Sequence, residues 1–327
     1  MTRLILRILL LSLAVAPIAG AERLYFNDKK APESREDLLA IQKALTRSLA
    51  KAREATVCID IGDGSGSGVI VSPEGLILTA AHVSTGVGRD VTVIMEDGRK
   101  LKGETLGLVA DVDAAMIKIT EKGTYPFAEI DKDAATNLGD WVFSLGHSGG
   151  FDKERGSVVR LGRLVRIANS TIQTDCSLIG GDSGGPLFDL NGKVIGIHSR
   201  VGERIQVNMH VPTKEFISNW DGMMKSEFIG EGPFAQKPEK GSGFLGLATD
   251  PKTGGGLKVT KVGRETPAEK AGFKEGDVLM KFNGTDLTAR EQFQDLIKEM
   301  AAYDKVEIEI LRDGKPQTFK LKLGERH

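Results

Sequence analysis

One serine, Ser183, stands in "GGDSGGP" between Gly180–Gly181 and Gly184–Gly185, with Asp182 immediately before it. Glycine admits dihedrals closed to other residues and lets another chain approach the backbone, so this run predicts a tight, ligand-facing turn. A hydroxyl in such a turn becomes a nucleophile only where a base can reach it. The chain has five histidines, and four of them, His147, His198, His210 and His327, read as ordinary loop, strand or tail residues. His82 differs: it follows Thr79-Ala80-Ala81, where small side chains leave room beside an imidazole. Serine–histidine chemistry also calls for a carboxylate that fixes the imidazole tautomer and stabilises the imidazolium. Asp113 precedes the apolar run "AAMIKI" and is placed to point inward; Asp111, two residues earlier in an expected loop, is the fallback.

Short β-rich runs must carry these residues. From Thr56 onward "TVCIDI", "SGVIVS", "LILTAAHV", "DVTVIM", "AAMIKI", "WVFSLG", "SVVRLGRLVRI", "STIQTD", "KVIGIHS" and "IQVNMHV" alternate with glycine-containing turns, enough strands for two small barrels. A helix is expected over "PTKEFISNWDGMMKSEF" at the end of this region. Before it, Ser34 as N-cap and apolar positions Leu38, Ile41, Leu45, Leu49 and Ala52 predict an amphipathic helix that packs on the body of the protein or on another subunit, a membrane-surface role being the weaker option. The divisions are 22–53 for the helical segment, 54–228 for the β-rich domain, 229–241 for a Gly/Pro/Lys-rich linker, and 242–325 for a compact α+β module. Residues 1–21 have Arg3 and Arg7 ahead of an apolar run ending in Ala19-Gly20-Ala21. They read as an export signal, so the mature chain is periplasmic or secreted, with an uncleaved membrane anchor as the alternative.

With 44 basic and 45 acidic residues the net charge is -1, which argues against nucleic acid as a partner. The two cysteines, Cys58 and Cys176, form no C-x-x-C motif, and pairing and separate burial both remain open. No His/Asp/Glu cluster has metal-ligand spacing, so neither a metal nor another cofactor is expected. The glycine-rich "GDGSGSG" fits no nucleotide loop and reads as a hairpin turn before the strand that leads to His82.

In the order His, Asp, Ser, the motifs "TAAH", "DAAMIKI" and "GDSGGPL" resemble those of the trypsin-like serine protease clan. The C-terminal module resembles a PDZ domain, and the pairing is similar to the bacterial HtrA/Deg family. The resemblance implies a mainly β chain, a chymotrypsin-like double β-barrel followed by a small α+β PDZ domain. It implies Ser183 as nucleophile, His82 as general base and acid, Asp113 as the orienting acid, and the N–H groups of Gly181 and Ser183 as an oxyanion hole. Residues Ser177, Leu178, His198, Ser199, Arg200 and Asn208 would line the substrate side-chain pocket. Ser177 is small and uncharged there, which leads to an expected preference for small or medium apolar side chains. In "FLGL", Leu245, Gly246 and Leu247 resemble the loop with which PDZ domains hold a peptide carboxylate. The implied function is an ATP-independent endopeptidase acting on unfolded or exposed polypeptide, with peptide C-termini at the PDZ domain and, by resemblance, a trimer. The alternative is a peptide-binding quality-control or scaffold protein with a resting or inactive triad. Two departures stand out: Asp182 replaces the Asn common in the HtrA family, and "SLGHSGGFDKERGSV" differs from the "GNPFG"-like stretch expected at that point.

Overall fold

The computed structural model describes residues 23–62, 64–204, 207–252 and 255–325; the expected export signal over 1–21 and His327 lie outside them. The first long element is helix α1 (Arg35–Ala55), whose Ser34 Oγ accepts the Asp37 N–H as its N-cap. Its buried stripe is Asp37, Ile41, Ala44, Ser48, Ala52 and Ala55; of the expected apolar face, Ile41 and Ala52 are buried and Leu45 and Leu49 pack against the core, whereas Leu38 lies exposed. Small residues on that stripe let the helix approach the body closely, and Ser48 Oγ donates to Leu190 O at 3.1 Å.

Strands β1 (Thr56–Asp60), β2 (Ser65–Ile70), β3 (Leu76–Thr79), β4 (Asp90–Ile94), β5 (Lys100–Val109) and β6 (Ala114–Ile119) form the first barrel, with helix α2 (Ala81–Ser84) between β3 and β4. The ring runs β1-β2-β3-β6-β5-β4 and closes through the β1–β4 pairing. The "GDGSGSG" stretch contributes the β1–β2 hairpin, in which Asp60 pairs with Ser65, as expected. Strands β7 (Trp141–Gly146), β8 (Val158–Ile167), β9 (Ile172–Thr174), β10 (Pro186–Asp189), β11 (Val194–Val201) and β12 (Asn208–Pro212) close the second barrel. Closure leaves neither sheet with an unpaired edge. One core cluster joins the barrels: Val69, Leu78 and Met116 of the first pack in the same group as Phe143, Leu145 and Phe188 of the second. Each such side chain contributes about 1.5–3 kcal/mol by leaving water, which holds the two barrels as one body and fixes the cleft between them.

Two short helices, α3 (Thr213–Ser218) and α4 (Trp220–Met224), stand where one was expected; the break falls at Asn219, whose dihedrals are not helical. Strand β13 (Phe228–Ile229) then returns to the first barrel and pairs in parallel with β5. The segment expected as a linker begins packed rather than free. Phe234 N donates to Ala110 O, Glu231 N donates to the Asp111 carboxylate, and the Arg200 guanidinium lies 4.9 Å from the centre of the Phe234 ring.

The C-terminal module contains β14 (Gly243–Phe244), β15 (Leu247–Pro251), β16 (Leu257–Val262), α5 (Pro267–Ala271), β17 (Val278–Phe282), β18 (Thr285–Asp286), α6 (Arg290–Lys298), β19 (Lys305–Arg312), β20 (Lys315–Lys322) and β21 (Gly324–Glu325). Its main sheet has the order β15-β16-β17-β19-β20, so β15 is an edge strand. Leu257, Val259, Leu279, Ile308 and Ile310 form a core of their own with Phe293 of α6.

Candidate active site

His82 sits on the single turn of α2, directly after β3, and Asp113 occupies the turn between β5 and β6. Asp113 is fully buried and has a left-handed backbone (φ +66°), a conformation a non-glycine residue adopts only where surrounding contacts hold it. Those contacts are present: its carboxylate accepts the His82 backbone N–H at 3.1 Å, His82 Nδ1 at 2.9 Å on both oxygens, and Ser199 Oγ at 2.5 Å. A carboxylate on Nδ1 requires the proton there, which leaves Nε2 of the neutral ring as an acceptor. Asp111, the fallback, receives the Glu231 N–H on the outer face of the barrel instead.

Ser183 lies in the turn between β9 and β10, tied to the first barrel by the Ser67 N–H on Ser183 O at 2.7 Å and by Ser67 Oγ on Gly181 O at 2.8 Å. The glycines on either side are sterically required. A Cβ at Gly181 (φ +92°) would lie 2.5 Å from His147 O, and one at Gly184 (φ +83°) would lie 2.2 Å from Ser67 O. Among the described residues the N–H groups of Gly181 and Ser183 have no acceptor, while the Gly180 carbonyl accepts from Gly149 N at 2.7 Å. Ser183 Oγ donates to Ser199 O at 3.4 Å and makes no hydrogen bond to His82.

Beneath the turn lies a polar interior. Asp182 is fully buried, accepts from Ser148 Oγ (2.6 Å) and Ile179 N (2.9 Å), and forms an ion pair with the Arg160 guanidinium at 3.0 Å. His198 and His210, cross-strand neighbours on β11 and β12, share a Nδ1–Nδ1 hydrogen bond of 2.9 Å, and His210 Nε2 meets Thr174 Oγ1 at 2.8 Å. Burial holds His198 down at about 3, the nearby Arg160 charge adding to the effect, and burial puts His210 well below the ordinary histidine range.

The residues expected in the substrate pocket divide into two groups. Ser177 and Arg200 are exposed, whereas Leu178, His198, Ser199 and Asn208 are buried. Leu178 N donates to Asn208 Oδ1 at 2.8 Å, which fixes the approach to the turn, and Ser199 serves Asp113. Arg160, Ser148, Ser67 and His210 were not indicated by sequence; strand register, and for Ser148 the loop after β7, brings them to the turn. Cys58 and Cys176 are free and buried in different barrels, and burial pushes each thiol up to about 11.

In the C-terminal module Leu245 is buried and Gly246 has φ +88°; a Cβ on Gly246 would lie 2.3 Å from Thr266 Cβ. Leu245, Gly246 and Leu247 line a cavity of about 300 Å³ together with Phe293 and Ile297 of α6. Among the described residues no group of three or more His, Cys, Asp or Glu side chains is arranged to hold a metal ion. No helix among them is long and apolar enough to cross a membrane.

Residues 66–197 match the trypsin-like peptidase domain and residues 243–323 match the PDZ domain. A probable periplasmic serine endoprotease DegP-like from Marinomonas sp. is 31% identical over 80% of this chain and 57% of its own length. A protein of the same description from Pseudomonas savastanoi pv. phaseolicola is 30% identical over 79% of this chain and 55% of its own. The chain thus spans little more than half the length of these curated relatives. Among solved structures, the serine endoprotease from Yersinia pestis aligns over 91% of this chain and all of its own, with 24% identity and a TM-score of 0.49. A trypsin-like peptidase domain followed by a PDZ domain, with DegP-like relatives across most of its length, makes this chain a member of the HtrA/Deg family of trypsin-like serine proteases.

Proposed function

We propose that the chain is an exported serine endopeptidase that cleaves exposed polypeptide through an acyl-enzyme. The observation that carries this reading is the juxtaposition of a carboxylate-bound His82 with a Ser183 turn whose two backbone N–H groups stand unused. Ser183 Oγ attacks the scissile carbonyl carbon while His82 Nε2 takes the hydroxyl proton. The oxygen that becomes negative is received by the N–H groups of Gly181 and Ser183, donors worth about 3–4 kcal/mol each when one is removed. His82 returns the proton to the leaving amine as the C–N bond breaks, and water repeats the sequence on the ester. Asp113 remains ionised throughout, holding the ring and balancing the imidazolium.

Polypeptide is the substrate class, and the relatives' names support a periplasmic setting after removal of residues 1–21. The groove between β15 and α6 takes a peptide as an added strand, its terminal carboxylate at Gly246 and its last side chain over Leu245.

The absent Ser183–His82 hydrogen bond favours a second reading, a peptide-binding protein with a resting triad. Fluorophosphonate treatment of the mature chain separates the two. Labelling of Ser183 together with casein cleavage, both lost in Ser183→Ala, supports the enzyme. An unlabelled chain that still binds peptides supports the scaffold, and an adduct on Ser148 or Ser177 refutes the assignment.

A further inference from the structure

We infer that Arg160 is a positioning residue for the oxyanion turn, acting through Ser148 and Asp182. This inference rests on the reading of Gly181 and Ser183 as the oxyanion donors.

Asp182 is the residue directly before the nucleophile, and its side chain is wholly out of water. An isolated carboxylate does not remain ionised in such a place without a counter-charge and hydrogen bonds. Arg160 Nη2, from the start of β8, supplies the charge at 3.0 Å, and it also donates to Ser148 Oγ at 2.9 Å. Ser148 passes the connection on, donating its own proton to Asp182 Oδ1 at 2.6 Å. The three side chains form a closed triangle between β8, the loop after β7 and the nucleophile turn.

This triangle controls the orientation of one peptide plane. The residue after Ser148 is Gly149, whose N–H holds the Gly180 carbonyl at 2.7 Å. In a trans peptide the C=O of one residue and the N–H of the next point in opposite directions. With the Gly180 carbonyl drawn toward Gly149, the Gly181 N–H is turned away from that loop, and it has no acceptor among the described residues. Asp182 closes the other side of the turn by accepting Ile179 N at 2.9 Å. Arg160 thus fixes the loop and the turn against each other without itself touching the reacting atoms. A buried ion pair contributes little net stability against an apolar replacement but strongly penalises loss of one partner, which suits a device that sets geometry.

The test uses the full-length protein and the variants Arg160→Met, Asp182→Asn and the double variant Arg160→Met/Asp182→Asn, with Arg160→Gln in reserve if Met fails to fold. Arg160→Met leaves a buried carboxylate unpaired, and kcat is expected to fall about 10²-fold, the scale of a lost oxyanion donor, with KM within about threefold. The double variant buries no unpaired charge and is expected to recover at least about tenfold of that loss, a coupling that independent stability effects do not produce. Peptide-resolved hydrogen exchange over residues 146–150 and 178–184 gives a readout independent of turnover: both segments should exchange faster together in Arg160→Met. If the parent fails to react with fluorophosphonate, the endopeptidase reading fails while the exchange comparison still tests the role of Arg160. Unchanged exchange in both segments, a loss confined to KM, or a double variant no better than Arg160→Met overturns the inference.

Discussion

Mild acid should destabilise this protein, because burial holds three histidines, His147, His198 and His210, below their ordinary range, the last two as a hydrogen-bonded pair. His198 and His210 are fully buried in the second barrel, and His198 is held at about 3. In the unfolded chain both return to about 6.5, so below that pH the unfolded state binds protons that the folded state refuses. The sign follows directly: stability is complete above about 6.5 and falls as pH decreases toward the folded value. Between pH 7 and 5 each histidine that stays neutral costs about 2 kcal/mol, and the pair about 4 kcal/mol, at 1.36 kcal/mol per pH unit. For a domain of this size that corresponds to a Tm lower by about 8–16 °C. The window is clear of the lowered carboxylates. Asp37, held at about 2 by the Lys29 ammonium and the Glu33 N–H, gives up its contribution only in stronger acid. Asp189 works in the opposite sense, since burial raises its carboxyl and acid relieves that penalty. Urea denaturation at pH 7, 6 and 5 measures the slope, and the histidine C2–H signals report whether the rings titrate in place. A change below about 1 kcal/mol over this range, or either ring titrating above pH 6 in the folded state, would refute the reasoning.

Asp113→Asn should lower kcat about 10⁴-fold with little change in Tm, since an amide on Nδ1 favours the wrong tautomer; Asp111→Asn should leave steady-state kinetics near those of the parent. Gly181→Ala should cost at least about 10² in kcat, because its Cβ would lie 2.5 Å from His147 O, and normal peptide-anilide turnover would exclude this geometry. Gly246→Val in a Ser183→Ala background should abolish binding of a free-acid apolar peptide, measured by calorimetry; equal affinity of the parent for the amidated peptide would contradict a carboxylate site. N-terminal sequencing of protein recovered from an exporting host should begin at Glu22, whereas an intact Met1 in a membrane fraction would support an anchor.

The features most legible in sequence are those encoded locally. Small residues before His82, an apolar run after Asp113 and paired glycines around Ser183 each describe their own surroundings, and the β-rich pattern anticipates two barrels. What escapes is set by register and phase. His198 and His210 each read as an ordinary strand residue until β11 and β12 align them as direct partners. Arg160 and Asp182 meet only because β8 crosses beneath the nucleophile turn, and no spacing rule connects them. On α1 Leu45 and Leu49 pack against the core as the pattern anticipates, yet Leu38 faces solvent while Ala44 and Ser48, outside the expected set, lie against the body. Ser48 is held there by the hydrogen bond of its Oγ to Leu190 O, which no hydrophobic pattern signals. The packed start of the expected linker is hidden for a related reason, since Phe234 finds a partner in Arg200, a residue distant in sequence.

The two unpaired thiols give the molecule a pair of independent clocks. Cys58 belongs to β1 in the first barrel and Cys176 to the apolar interior of the second, and each is protonated at neutral pH because burial lifts it to about 11. An alkylating reagent attacks the thiolate, so the waiting time before either sulfur reacts is set by how often its own barrel opens. Two mass additions that arrive at one rate would mean that the barrels open as a single unit. Two separate rates would rank them, and the slower would mark the part of the molecule that outlasts the other when the chain meets heat or a competing protease.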